Sequence, residues 1–206
     1  MNNTTHATTV LLCGVGGQGT ILAADLLAHA ALEAGTSVKV SEIHGMAQRG
    51  GAVTTVVRFG DEVSSMVCDP GTADCVVSFE TTEALRNLPF LAEGGYLLVA
   101  DEAIKPLPVA TGHASMPTHA RETLLGLGAT LIPAGDLARE AGSAKSTNVV
   151  LLGALSTRLP FAAEAWERVV ADRVPPKTVD ANLAAFRAGR AFALSADEEC
   201  AKGVSA

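Results

Sequence analysis

The stretch that decides the fold is residues 9–34, TVLLCGVGGQGTILAADLLAHAALEA. Its first residues, Thr9 to Cys13, form an apolar run that predicts a buried strand. Gly14 to Gly19 predict a tight glycine turn. From Thr20 to Ala34 the apolar residues recur at helical spacing, and Gly35 follows as a C-cap. Strand, glycine turn and helix in this order indicate the opening unit of an α/β domain.

The rest of the chain continues the alternation of strands and helices. Buried strands are predicted at Val38–Ser41, Asp74–Phe79, Tyr96–Ala100 and Ala129–Pro133, and a hairpin at Ala52–Phe59 with Val63–Val67. Helices are predicted at Thr82–Leu91, Ala120–Gly126, Asp136–Ala141, Thr147–Leu159, Ala163–Arg173 and Thr178–Phe192. We therefore predict an α/β fold with a single doubly wound, mostly parallel sheet, a β-hairpin insertion and a helical C-terminal part. One domain is expected at 1–194 and a flexible tail at 195–206.

The composition excludes several classes of function. The 206 residues carry a net charge of -7, whereas a nucleic-acid-binding protein needs a basic surface to neutralise phosphates. No apolar run approaches the roughly 18 residues that a membrane helix needs, and the first ten residues lack the features of a secretion signal. We therefore expect a cytoplasmic protein with no membrane partner. A hydrophobic content of 48% indicates a sheet buried on both faces, or a surface hidden against a partner.

The four cysteines predict no metal site. They are Cys13, Cys68, Cys75 and Cys200, and none lies in the clustered spacing typical of iron–sulfur or structural zinc ligands. We expect reduced, mostly buried thiols and no metal bound by this chain. If the reaction needs electrons, they must be stored in another polypeptide.

The glycine turn is the first candidate site. It satisfies the pattern G-x-G-x-x-G, in which main-chain N–H groups at a helix N-terminus can face an anion. Glu42 lies near the end of the second predicted strand, where an acidic residue could accept a ribose hydroxyl. Three interpretations stay open: a nucleotide or phosphate site, a loop that contacts a partner's cofactor, and pure packing. The candidate cofactor-binding residues are Gly14, Gly16, Gly17, Gln18 and Gly19.

A polar segment, EIHGMAQRGG at residues 42–51, is the second candidate site. The carboxyl ends of strands form the binding edge of an open α/β sheet, so we expect this segment and the glycine turn at one edge. The guanidinium of Arg49 suits a carboxylate or phosphate, and His44 could transfer a proton. Alternatively, Arg49 pairs with a nearby glutamate and His44 is an ordinary loop residue. The candidate catalytic residues are His44, Gln48 and Arg49, and the candidate cofactor-binding residues are Gly50 and Gly51.

Several motifs, taken in order, resemble the gamma domain of 2-oxoacid:ferredoxin oxidoreductases. They are GVGGQG at 14–19, EIHGMAQRGG at 42–51 with Arg58, Asn148 with LLGAL at 151–155, and VPPKTVDANLAAF at 174–186 with Gly189. The likeness covers roughly Val10 to Phe192 and is strongest to beta subunits of the indolepyruvate type.

The resemblance implies a subunit of an enzyme that oxidatively decarboxylates a 2-oxoacid, such as indolepyruvate or another aryl pyruvate, to an acyl-coenzyme A. Electrons would pass to ferredoxin through the complex. It implies that thiamine diphosphate and [4Fe-4S] clusters sit in a larger alpha subunit of a heterodimer, without which this chain is inactive. Coenzyme A is then a candidate ligand at the interface. The residues alone leave two alternatives: a stand-alone NAD(P)-binding protein of the Rossmann type, and a non-catalytic assembly subunit.

Overall fold

The computed structural model describes residues 7–44, 51–105, 109, 111–113 and 115–203. Within them one sheet is formed by β1 (Thr8–Val15), β2 (Ser37–His44), β3 (Ala52–Gly60), β4 (Ala73–Ser78), β5 (Leu91–Ala100) and β6 (Thr130–Ile132). The strand order is β2-β3-β1-β4-β5-β6. Because β3 pairs antiparallel with β1 and β2, while β1, β4, β5 and β6 pair in parallel, β3 alone of these six strands is reversed. The predicted mostly parallel sheet is confirmed.

Helices cover both faces of the sheet, as predicted. They are α1 (Thr20–Glu33), α2 (Thr81–Asn87), α3 (Ala120–Gly126), α4 (Ala134–Glu140), α5 (Thr147–Leu155), α6 (Ala163–Arg173) and α7 (Val179–Gly203). Alternate residues of β1 face opposite sides. Val10 and Leu12 join the larger core, which α1 and α4 to α7 share, whereas Leu11 joins the smaller core under α2 and α3. Among the described residues, no helix is long and apolar enough to cross a membrane.

The hairpin differs from the predicted one. β3 lies between β2 and β1 and bonds to both, so Val63–Val67 finds no free edge of β3 and forms no strand. The hairpin consists of β2 and β3 instead. Side chains hold the segment after β3 to the sheet: Arg58 Nη1 donates to the carbonyl oxygens of Ser65 (3.1 Å) and Val67 (3.0 Å). Arg58, one of the residues that carry the resemblance, therefore has a structural role.

Helix α5 is buried by this chain itself. The sequence predicts that this helix runs to Leu159, but it ends at Leu155, and its apolar surface packs chiefly against α7. A Cβ atom added to Gly153 would lie 2.0 Å from the carbonyl oxygen of Phe186. One added to Gly189 would lie 1.9 Å from the carbonyl oxygen of Val150. Both glycines are required because they let two helix backbones approach this closely.

The end of α2 was predicted too late. The helix stops at Asn87, and a 3-10 turn at Leu88–Phe90 leads directly into β5. Pro89 explains the early end, since proline lacks the N–H that a continuing helix needs. Consequently β5 begins at Leu91, five residues before the predicted Tyr96.

The end of α7 was predicted too early. The helix continues past Phe192 to Gly203, and within the added turns Asp197 forms an ion pair with Arg158. Most of the tail predicted at 195–206 is therefore helical. The limits of a domain at 1–194 stay a prediction.

Candidate functional site

The glycine loop, residues 16–19, joins β1 to α1 at the carboxyl edge of the sheet. Gly17 and Gly19 have positive φ angles of 102° and 84°, which residues with a side chain rarely adopt. Gly17 forms the exposed apex. No side-chain hydrogen bond caps α1 within the described part of the chain, so the positive end of this helix faces the loop through its backbone.

One glycine from each of the two predicted segments meets the other at this edge. The N–H of Gly16 donates to the carbonyl oxygen of Gly51 over 2.9 Å. His44 is the last residue of β2, where it pairs with Val53. Gln48, Arg49 and Gly50 lie outside the described residues, so the roles predicted for them stay predictions. Gly14, Gly16, Gly17, Gln18, Gly19 and Gly51 all lie at or beside the contact between the loops.

Gln18 is engaged within the chain. Its Oε1 accepts from the N–H of Val15 (2.7 Å), and its Nε2 donates to the carbonyl oxygen of Phe79 (2.9 Å). The side chain thus ties the end of β1 to the end of β4. Gly14 makes room for it, because a Cβ there would lie 2.7 Å from Oε1 and 2.8 Å from the Cβ of Phe79. These contacts give Gly14 and Gln18 a packing role, which was one of the three interpretations of the motif.

Asn148 also belongs to this site. It lies in the first turn of α5, and its Nδ2 is 3.3 Å from the carbonyl oxygen of Gly19. Asn148 is one of the residues that carry the resemblance, but its sequence context predicts no contact with the glycine loop. The residues are 129 positions apart, and no local pattern predicts the contact.

Buried polar side chains lie below the edge on the α2 side. The carboxylate of Glu80 caps α2 by accepting from the N–H groups of Thr82 (3.0 Å) and Glu83. Burial raises the pKa of the Cys13 thiol to about 12, so this thiol is protonated at neutral pH and is a poor nucleophile. Burial also raises the pKa of Glu83, against the attraction of Arg86 at 3.2 Å.

The structure does not support the dinucleotide-binding interpretation of the glycine loop. That interpretation requires an acidic residue on the strand beside β1. Here β3 separates β2 from β1, so Glu42 pairs with Thr55 and lies two strand spacings, roughly 10 Å, from β1. The amide of Gly16, which could have faced a pyrophosphate, is bonded to Gly51. The geometry therefore disfavours an NAD(P) site.

A cavity of about 410 Å³ opens at the same edge, beside the end of β5. Its wall includes an ion pair in which Arg121 Nε lies 3.0 and 2.9 Å from the two carboxylate oxygens of Asp101. Glu102 and Lys105 also line it, so both signs of charge are present and no strong field of one sign results. Among the described residues, no group of three His, Cys, Asp or Glu side chains is placed to hold a metal ion.

Comparison with known proteins identifies the family. Residues 9–192 match the model of the pyruvate ferredoxin/flavodoxin oxidoreductase family. Over 187 residues the chain is 43% identical to indolepyruvate oxidoreductase subunit IorB of Thermococcus kodakarensis, covering 87% of this chain and 93% of that protein. IorB of Pyrococcus horikoshii is 42% identical over 187 residues with the same coverage, 87% and 93%.

A solved structure agrees with these sequence relatives. The gamma subunit of a keto/oxoacid ferredoxin oxidoreductase from Geobacter sulfurreducens has a TM-score of 0.69 at 27% identity, covering 91% of this chain and 99% of that one. The chain therefore belongs to the pyruvate ferredoxin/flavodoxin oxidoreductase family and is a subunit of a 2-oxoacid:ferredoxin oxidoreductase.

Proposed function

We propose that this subunit positions anionic groups at the active centre of a larger alpha subunit and performs no covalent chemistry itself. The heterodimer would oxidise indolepyruvate or related aryl pyruvates to the acyl-coenzyme A, with ferredoxin as electron acceptor. Thiamine diphosphate in the partner would supply the decarboxylation chemistry, and [4Fe-4S] clusters there would carry the electrons. This chain alone would be inactive. The names of the two IorB relatives, at 43% and 42% identity, support the aryl pyruvate class.

The observation that carries the proposal is the 2.9 Å hydrogen bond between Gly16 and Gly51. Arg49 precedes Gly51 by two residues, which span at most about 7 Å. A guanidinium attached there can approach an anion that also faces the uncapped N-terminus of α1. The two loops would then act on one ligand, either the carboxylate of the 2-oxoacid or a phosphate of coenzyme A. His44 and Gln48 would complete the polar rim of this site.

The test is Arg49→Ala in the co-purified complex. Loss of one charge-assisted contact should lower kcat/KM for the 2-oxoacid or for coenzyme A by about ten- to a hundredfold. Arg187→Ala is the matched control, because Arg187 forms an exposed ion pair with Glu167 between α6 and α7. Unchanged KM and kcat for both substrates in the Arg49 variant would refute the proposal. Poor assembly with normal activity per complex would favour a subunit that serves assembly only.

A further inference from the structure

Asn148 holds the glycine loop from a distant part of the chain. It is only 3% exposed, and its Nδ2 donates to the carbonyl oxygen of Gly19 over 3.3 Å. That carbonyl also accepts from the N–H of Ala23 over 3.0 Å. The contact with α5 is close, since a Cβ added to Gly19 would lie 2.8 Å from the Asn148 Nδ2 atom. Two donors therefore fix the orientation of the Gly19 carbonyl group.

The orientation of this carbonyl determines where the next amide points. In a planar trans peptide, the N–H of Thr20 is directed opposite to the carbonyl of Gly19. Because the carbonyl is held toward Ala23 and Asn148, inside the protein, the N–H of Thr20 points away from them, out of the helix end. This N–H is the first amide of α1, where the partial positive charge of the helix is concentrated.

The site has unused capacity for hydrogen bonding. In the described part of the chain, the Oδ1 and the second N–H of Asn148 have no partner, and neither has the hydroxyl of Thr20. Both residues are only 3% exposed. Their unpaired side-chain atoms are not fully shielded from solvent, so a ligand or a partner group at the glycine loop could bond to them.

We infer that Asn148 is a positioning residue for the reaction, which aims the Thr20 amide at an anionic group of the 2-oxoacid or of coenzyme A. The inference rests on the proposed function, because it requires an anion at the glycine loop. It assigns to α5 a part in substrate binding that is separate from the contribution proposed for Arg49.

The test compares Asn148→Ala and Asn148→Asp with Asn182→Ala in the co-purified complex. Asn182 is a matched control, since it is 7% exposed and its Nδ2 donates to the carbonyl oxygen of Thr178 (2.8 Å), within α7 and its preceding turn. We expect Asn148→Ala to raise the KM of at least one anionic substrate by about three- to tenfold. Asn148→Asp keeps the size, loses the donor and adds a negative charge, so its effect should be larger. Asn182→Ala should lose similar thermal stability with both KM values within about twofold of wild type.

The outcomes separate this inference from the proposed function. If Arg49→Ala impairs the enzyme while both Asn148 variants leave KM unchanged, the positioning role is wrong and the proposed function stands. If Arg49→Ala also has no effect, the proposed function falls as well. If Asn182→Ala shifts KM as much as Asn148→Ala, the effect is a general loss of stability and the inference is overturned. Should Asn148→Ala fail to fold, the isosteric Asn148→Asp variant decides.

Discussion

Gly189→Ala tests the closest contact in the fold, where α7 crosses α5. The added methyl carbon would lie 1.9 Å from the carbonyl oxygen of Val150 and 2.8 Å from its carbonyl carbon. To reach an ordinary contact of 3.4 Å, the two backbones must separate by about 1.5 Å. The obstacle is backbone inside a helix, so no rotation of a side chain can relieve it. The packing of Phe186 and Trp166 in the same core would be disturbed by such a shift.

The expected loss of stability combines two effects of opposite sign. Overpacking a tight core costs about 1–3 kcal/mol and occasionally more. We place this substitution at about 4 kcal/mol because both partners are backbone. Replacing glycine by alanine within a helix returns about 1 kcal/mol. The net loss is about 3 kcal/mol, which corresponds to a fall of about 6–12 °C in Tm for a chain of this length.

The assay is thermal unfolding of the purified chain followed by circular dichroism. Gly126→Ala is the matched control, since Gly126 is also helical but has nothing within 4 Å of its Cβ position. That variant should keep the wild-type Tm or gain up to about 4 °C, because it receives only the gain in helix propensity. A Gly189→Ala variant whose Tm lies within 2 °C of that control would show that the helices do not cross this closely, and the reasoning would fail.

Two further predictions concern Glu83 and Arg58. Because burial raises the pKa of Glu83, the folded chain binds more protons than the unfolded chain above pH 4.5, so its stability falls as pH rises through the raised pKa. The Tm of Glu83→Gln relative to that of wild type should therefore be higher at pH 8 than at pH 5. An equal Tm difference between the two proteins at both pH values would contradict this. Arg58→Met should speed thermolysin cleavage within residues 61–69 about tenfold, because it removes the bonds to Ser65 and Val67. The exposed Arg187→Met is the control, and equal cleavage rates in the two variants would count against the role of Arg58.

Elements with strong local signals could be predicted from the sequence. The unit of β1, glycine loop and α1 was predicted because an apolar run, closely spaced glycines and helical periodicity follow one another without interruption. Helices α3 and α6 were predicted with the same bounds that the structure shows. Each of these elements depends mainly on residues within itself, so a short window of sequence contains the information.

Features that depend on distant pairing could not be predicted. β3 enters the sheet between β2 and β1 through bonds to residues up to 51 positions away, as in the pair Thr8 and Phe59. A short segment bounded by valines, such as Val63–Val67, resembles a strand in isolation, but it forms one only where an edge is free. The contacts of Asn148 with Gly19 and of Gln18 with Phe79 are likewise long-range, and residue type alone does not select these partners.

These contacts change what the motifs of the resemblance signify. Gly14, Arg58, Gly153 and Gly189 each have a packing reason inside this chain, so their presence indicates the fold and not the reaction. Chemistry must be sought where hydrogen-bonding groups are left over, because a buried group already satisfied within the protein has little to offer a ligand. By that criterion Asn148 is a stronger candidate in the described structure than Gln18, whose Oε1 and Nε2 are each bonded within the chain. The glycine motif lies at the carboxyl edge of the sheet, and helix α5 brings Asn148 to the same loop.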